Sequence, residues 1–509
     1  MGAPLLEEVS TRGHSLHWVS AGLILYAFAA PSSISGVAFT FSHGGLLLGV
    51  ICCIGSTGAS ATGALLLLEV ILACRARSSG GGGGGGGANG MHMLSDVASA
   101  ALGPWSCSFS LMLQMVNFLL YMPIALLTTA QALQEAVQPS RRTCTDYFIF
   151  GVSFVCFAST QLRDLKHAAA LAGFAMVAAL VAAALQLVVV SSSLPLPDMP
   201  PPAPWAGAPA GSGGSGRIEM ALSLTTCVWA YVPSLIVVEL ASEMRAPEEL
   251  RRSILLSAAL NVLIFVGVGL PVAVAWGTTV ADPITLSPHW PGHAPAARAV
   301  SGFLCVANFV GYCLDSVPLA RWCQRRFVPS FRGGWSARSM GIFALASLPA
   351  FAFALLASIL VGAPGGLFTM LAWCTALTVP ACNLILPACF ALVASSRERV
   401  AQAGLVTASP QAFSSAEKHV QQQARGSDSS PREASQRGES SPCGLVVLKL
   451  SSSQRNVARA VLAVGIGAFA ICLIGAVGKL ADASVRGPQV IGCLGWEIYH
   501  SNGTHFHGW

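Results

Sequence analysis

Trp229-Ala230-Tyr231-Val232-Pro233-Ser234-Leu235-Ile236-Val237-Val238-Glu239 belongs to an apolar, membrane-length segment with a fault in its middle. The residues up to Trp229 read as helix, and Leu235 to Val238 restart one. Between them Pro233 lacks an N–H and crowds the preceding turn. A helix that gives up its ladder in mid-membrane leaves amides and carbonyls that lipid cannot satisfy, so a solute or the protein interior must occupy them. Five spans upstream the run Ala30-Pro31-Ser32-Ser33-Ile34-Ser35-Gly36 has the same character. Pro31 removes a donor, three Ser hydroxyls compete with the ladder, and Gly36 admits a close backbone. By itself this first fault is equally a proline kink with its serines bonded back to the helix. Paired with the second, it marks a midplane binding site in a transporter.

Working outward, the 509 residues are 54% hydrophobic and 10% charged, with a mean hydropathy of +0.65. A soluble domain carries about a quarter charged residues, so the chain reads as polytopic membrane protein. A net charge of +6 does not imply a nucleic-acid partner, because the basic residues sit in short loops. Most of the 16 Cys residues lie in apolar segments, where a thiol acts as a small hydrophobe. Only Cys144 and Cys493 sit where a disulfide is conceivable. The first apolar stretch runs straight into the first span, so no signal peptide is expected.

Windows of about twenty apolar residues place eleven spans, at 18–41, 45–74, 104–134, 145–162, 165–193, 219–241, 253–277, 298–319, 339–361, 366–394 and 457–480. If the N-terminus is cytoplasmic, 22 of the 28 Lys and Arg fall on the inner side, the asymmetry the positive-inside rule requires. The expected organisation is a short cytoplasmic N-terminus (1–17), a transporter domain (18–480) with a disordered cytoplasmic linker at about 400–450, and an exterior or lumenal tail (481–509). Residues 78–90, with their Gly run, and 194–216, rich in Pro and Gly, carry no pattern. The sequon at Asn502 lies on the expected outer side.

Within the spans, half-helix N-termini offer partial positive charge to a carboxylate, and the opposite ends offer carbonyls to an ammonium. Such a site suits a zwitterion. The candidate substrate residues are Pro31, Ser32, Ser33, Ser35, Gly36, Trp229, Ala230, Tyr231, Pro233 and Ser234. Trp229 and Tyr231 are placed to wall a side-chain pocket. Glu239, about two turns past the second break, is a coupling or gating residue or else an interfacial neighbour of Arg245. Gln114, Asn117 and Tyr121 share a face of the third span and either line the cavity or bind helix to helix. Asn261, Asn308 and Asn383 have the same two readings. Interfacial ion pairs are expected between Asp315 and Arg321 and between Glu69 and Arg75. No Walker loop, nucleophile elbow or paired-Cys metal site is present. The chain is not expected to be an enzyme or to hold a cofactor or metal; the cluster His500, His505 and His507 is the one weak metal candidate.

The stretch Trp229 to Glu239, followed by Met244-Arg245-Ala246-Pro247 and the restart Arg251-Arg252-Ser253, resembles the amino acid/auxin permease family. Ala101-Leu102-Gly103-Pro104-Trp105 and Val37-Ala38-Phe39-Thr40-Phe41 support the resemblance, which covers residues 17–480. It departs at the first break, where Pro31-Ser32-Ser33 stands for a Gly-Ser-Gly-like turn, and at Pro233 and Ala38. The resemblance implies a LeuT-like inverted repeat of five plus five spans with an eleventh helix. It also implies transport of amino acids or related solutes, commonly with co-transported H⁺ rather than Na⁺, across a plasma, vacuolar or endosomal membrane. A cation-coupled amine or auxin-like symporter on the same fold is the alternative, and a non-pumping channel or sensor on that scaffold is the rival of a different class.

Overall fold

A computed structural model describes residues 16–34, 36–80, 93–137, 145–159, 165–192, 213–244, 246–280, 284, 294–327, 337–361, 373–407 and 447–486. Ser35, Arg245, Cys144, Cys493, Asn502, the C-terminal His cluster and nearly all of the loops named above lie outside the described residues. So do the side chains of Pro31 and Ser32.

The described chain is helical throughout. The first span is α1 (Trp18–Ile34) and α2 (Val37–Gly44), and the second is α3 (Leu46–Gly80). A short α4 (Leu94–Leu102) precedes α5 (Pro104–Val137), α6 (Thr145–Ser159) and α7 (Leu165–Ser192). The sixth span divides into α8 (Gly213–Trp229) and α9 (Ser234–Glu243). After it come α10 (Leu250–Trp276), α11 (Ala294–Phe327) and α12 (Ala337–Val361). The tenth span is helical from Trp373, widens into a π-turn at Ala381–Ile385 and continues as α13 (Leu386–Thr407). The last helix is α14 (Ser452–Arg486).

Among the described residues nine helices are long and apolar enough to cross a membrane, and Trp18–Phe28 and Thr145–Ser159 are shorter apolar helices. These eleven segments fall on the eleven expected spans. Large apolar side chains such as Phe154, Leu263, Leu345 and Ile474 face outward. That surface would be a liability in water and costs nothing against acyl chains. The protein is an all-α polytopic membrane protein.

Helix α4 was not foreseen. Asp96 in its first turn accepts the Met93 N–H at 3.0 Å. It stops at Gly103, whose φ of 103° is open to glycine at little cost, and Pro104 then starts α5, where no N–H is needed.

Two packing groups organise the bundle. In one, α10 lies on α1, α2 and α3, and α3 lies on both halves of the sixth span. In the other, α5 lies on α6, α11 and α12, and α11 also lies on α12. Helix α7 joins them by touching α1, α10 and α11, while α14 leans on α8 and the π-turn. The sixth span is the innermost element: 94% of its apolar window is buried, against 28% for Met340–Ile359.

The two broken spans run antiparallel side by side. Helix α2 packs on α8 and α1 touches α9. Leu16, just before α1, forms a backbone bridge with Met244, just after α9.

The sixth-span break falls where expected, with residues 230–233 outside any helix. The first break is later and narrower than the run 30–36. Helix α1 continues through Pro31 to Ile34, the Gly36 N–H closes a tight turn on Ser33 O (3.1 Å), and Thr40 N–H picks up Gly36 O (3.1 Å). A single proline deletes one helical donor and leaves the rest of the ladder able to continue.

Close approach to the π-turn rests on two glycines. A Cβ on Gly63 of α3 would collide with the backbone carbonyl of Asn383, and one on Gly465 of α14 would reach Leu384 Cβ at 2.8 Å. The π-turn is therefore held between backbones with no room for a methyl group. Gly63→Ala is expected to lower stability by about 1–3 kcal/mol, read as a drop in the thermal midpoint in detergent; an unchanged midpoint would show the contact to be looser than described.

Candidate functional site

Pro31 shapes the site first. The helical partner of Ala27 O would be the N–H of residue 31, and proline has none. One residue on, Phe28 O accepts the Tyr121 hydroxyl at 2.8 Å. Helix α11 meets this point through Gly311, whose Cβ position lies 3.6 Å from Ala27 O, 3.8 Å from the Tyr121 hydroxyl and 3.9 Å from Phe28 O. Tyr121 stacks on Trp229 with ring centroids 4.8 Å apart, and on Phe28 at 6.0 Å. The last turn of α8, the middle of α5, α1 at its proline and α11 at its glycine thus converge on one buried spot. Trp229 Nε1 and Ser33 Oγ are buried there or nearby on α1 and have no hydrogen-bond partner among the described residues.

The second break is filled differently. Asn383, on the π-turn, accepts the Ser234 N–H through Oδ1 (3.1 Å) and donates through Nδ2 to Tyr231 O (3.1 Å) and to Ser60 Oγ of α3 (2.6 Å). Ser234 Oγ donates to the Asn383 carbonyl at 3.2 Å. Ala230 N–H remains on Thr226 O. The protein interior therefore occupies much of what the break releases. At Val232 the backbone N–H and C=O keep no partner among the described residues.

The π-turn explains how Asn383 reaches so far. Pro380 lacks an N–H, and the wider turn that follows brings Asn383 onto the break. Asn383 was read with two alternatives in the sequence; its special place was missed. The available signal was an Asn three residues after a Pro inside an apolar span.

Tyr231 is buried and ties the break to α10: its hydroxyl donates to Ile254 O (2.8 Å) and shares a hydrogen with Ser257 Oγ (2.6 Å). Gln114, Asn117 and Tyr121 do share a face of α5, and each ties that helix to a different element. Gln114 Nε2 donates to Leu235 O of α9 (3.1 Å), Asn117 Nδ2 to Thr378 Oγ1 of the tenth span (2.6 Å), and Tyr121 to α1. Pro233 caps α9, its carbonyl accepting Ile236 and Val237 N–H. Asn261 likewise ties α10 to Thr57 of α3 at 2.9 Å.

Tyr231→Phe and Tyr121→Phe should separate structure from solute handling. The first strips a partner from α10 and is expected to cost about 1–2 kcal/mol in thermal stability while leaving apparent affinity for the solute unchanged. The second leaves the Trp229 stack intact, frees Phe28 O, and should shift the half-saturating concentration in uptake. Equal shifts in both quantities for both variants would remove the distinction.

At one end of the bundle basic side chains gather around α9. Arg321 of α11 pairs with Glu243 (2.7 Å) and lies 3.7 Å from Glu239, whose side chain is 4% exposed. Arg75 donates to Ala241 O at 2.7 Å, and Ser253 Oγ to Trp18 O at 2.7 Å. Two expected ion pairs are corrected here. Arg321 does not pair with Asp315, because six residues on a helix put them on different faces. Glu69 takes Arg251 (2.6 Å) rather than Arg75, because the α10 N-terminus docks beside it. Among the described residues no group of three or more His, Cys, Asp or Glu is arranged to hold a metal.

A bundle with two antiparallel interrupted spans at its centre, holding buried polar atoms without partners between lipid-facing helices, defines a membrane transporter of small solutes. The chain belongs to the transmembrane amino acid transporter protein family, whose model matches residues 14–411. No curated protein matches it in sequence. Among solved structures it is similar to Mhp1, a nucleobase-cation-symport-1 family transporter in a closed conformation with bromovinylhydantoin bound. The identity is 14% over 74% of this chain and 78% of that one, with a TM-score of 0.49. It is also similar to a substrate-bound, outward-open Na⁺-coupled sialic acid symporter, at 12% identity over 75% of this chain and 85% of that one, TM-score 0.41.

Proposed function

We propose that the protein moves amino acids or related small zwitterions by alternating access, with H⁺ as the coupled ion. The observation that carries this reading is the meeting of the two breaks. Among the described residues the Val232 backbone groups keep no partner, Ala27 O has lost its helical donor, and Trp229 and Tyr121 form an aromatic wall beside them. Backbone donors and acceptors of both kinds suit an α-carboxylate and an α-ammonium together, without a fixed charge. Of the residues expected to bind substrate, Ser33 and Trp229 offer polar atoms and Gly36 lets the chain turn, while Tyr231 and Ser234 act through the break they support.

An inverted repeat of five plus five spans with an eleventh helix is supported by the packing, since spans one, two, six and seven form one group and three, four, eight and nine the other. In this reading the basic end is cytoplasmic, the C-terminus is exterior or lumenal, and Glu239 with Glu243 and Arg321 is the inner gate.

The test is uptake into proteoliposomes of a panel of labelled amino acids, GABA-like amines and indole acids, with a pH gradient, a Na⁺ gradient or neither. Saturable counterflow of at least one amino acid and its accumulation against a gradient only when the pH gradient is imposed are expected. Accumulation that needs Na⁺ instead would overturn the coupling, and non-saturable flux would indicate a channel.

A further inference from the structure

Asp315 on α11 is the most deeply buried carboxylic residue among the described residues, and the site and the gate leave it unused. It is 0% exposed, and neither carboxyl oxygen has a hydrogen-bond or ion-pair partner among the described residues. Its position is set by Gly311, which lies one helical turn earlier on the same face. Gly311 is where α11 touches Ala27 O, Phe28 O and the Tyr121 hydroxyl. Asp315 therefore sits one turn from the meeting point of the two breaks, on the side of the basic end.

The described groups around it bring no positive charge. Helix α5 presents Tyr121, already bonded to Phe28 O, and α6 carries Cys156, close enough to act on Tyr312. Tyr312 and Cys313 on α11 and Cys374 on the tenth span are close enough to feel a charge on Asp315. Helix α1 carries Tyr26, a buried hydroxyl without a partner. The described side chains of α7 include no titratable residue, and α12 has only Arg338, exposed at its start. Glu135 of α5 bonds Ser301, fourteen residues along α11 and about 21 Å away. Arg321 is about 9 Å further along the axis and engaged with Glu239 and Glu243.

An ionised carboxylate that is wholly buried and meets no donor among the described residues is several kcal/mol too costly to persist. The neutral acid is tolerated. We propose that Asp315 is the proton-carrying site of this transporter. In the closed arrangement it holds the proton as a carboxylic acid. When the two packing groups part and water enters along α11, the O–H bond breaks, the proton passes to water and the carboxylate is solvated; the return stroke reverses this. Glu239, with the Arg321 guanidinium at 3.7 Å, belongs to the gate.

This inference rests on the proton-coupled reading above, and the experiment keeps the two apart. Purified full-length protein is placed in liposomes with a trapped pH-sensitive dye, and substrate counterflow is measured beside substrate-evoked proton entry for the parent, Asp315→Asn and Asp315→Glu. A parent that exchanges substrate without proton entry would refute the coupled reading itself. With a coupled parent, Asp315→Asn should keep counterflow and lose both proton entry and accumulation driven by the pH gradient, and Asp315→Glu should restore them in part. Proton entry undiminished in Asp315→Asn would overturn the assignment of Asp315 alone. Should the Asn variant fail to fold, infrared difference spectra of the parent with isotope-labelled aspartate decide: a protonated aspartic acid band at neutral pH supports the proposal, and its absence overturns it.

Discussion

Asn383→Ala is expected to abolish uptake and to lower the thermal midpoint more than any other single change at the site. The substitution strands Ser60 Oγ, Tyr231 O and the Ser234 N–H at once. Each is buried, and a buried polar group left unpaired costs about 1–3 kcal/mol. The Ser234 hydroxyl keeps its bond to the residue 383 carbonyl, so α9 should remain attached while the break itself loosens. Asn383→Asp makes the sharper comparison. It retains an acceptor for the Ser234 N–H but turns the donor toward Tyr231 O into a second acceptor, so it should be at least as damaging as Ala. Thermal unfolding in detergent and initial rates of uptake, measured together on both variants, check this. A stable, active Asn383→Ala protein would show that the break needs no plug and would return its backbone groups to the solute.

Arg321→Gln is expected to have the second largest effect, in the form of a shifted conformational balance. Arg321 holds two acids of α9, Glu239 and Glu243, against α11. Removing one side of a buried ion pair leaves an uncompensated charge and costs about 3–5 kcal/mol. The protein can relieve that cost by letting water in at the basic end, which separates α9 from α11. The variant should therefore exchange substrate from that side while failing to accumulate it. Cys323, buried two residues beyond Arg321, should become reactive to a polar thiol reagent added to that side, measured in a version in which the other cysteines are replaced. Arg321→Gln combined with Glu239→Gln and Glu243→Gln removes the stranded charges and should recover closure. If the triple variant stays as open as the single one, charge pairing is not what shuts this end.

The relation between sequence and site differs from residue to residue. The fault at Ala230 to Pro233 was legible because proline and the restart of an apolar run act locally. Its counterpart at Pro31 was legible as a disturbance but not in extent: whether a helix survives the loss of one donor depends on what packs against the bared carbonyl. Here that is Tyr121 and Gly311, far away in the chain. The shared face of Gln114, Asn117 and Tyr121 followed from helical spacing, whereas their three separate partners did not. The ion pairs went astray for a related reason. Asp315 and Arg321, or Glu69 and Arg75, are near in sequence, yet the pairs that form join α11 to α9 and α10 to α3.

The sequence by itself determined that the chain lives in a bilayer, which stretches of it form the long apolar helices, and which two of them are interrupted. Those are consequences of hydropathy, of the missing proline N–H and of the need to satisfy backbone groups in lipid, all written within a turn or two of chain. Only the tertiary structure decided what fills the breaks, because Asn383 reaches Tyr231 and Ser234 across 149 or more residues of intervening chain. It also decided that Asp315 has no partner among the described residues. Long-range hydrogen bonds and burial depend on which helices meet, and no local pattern of side chains specifies that.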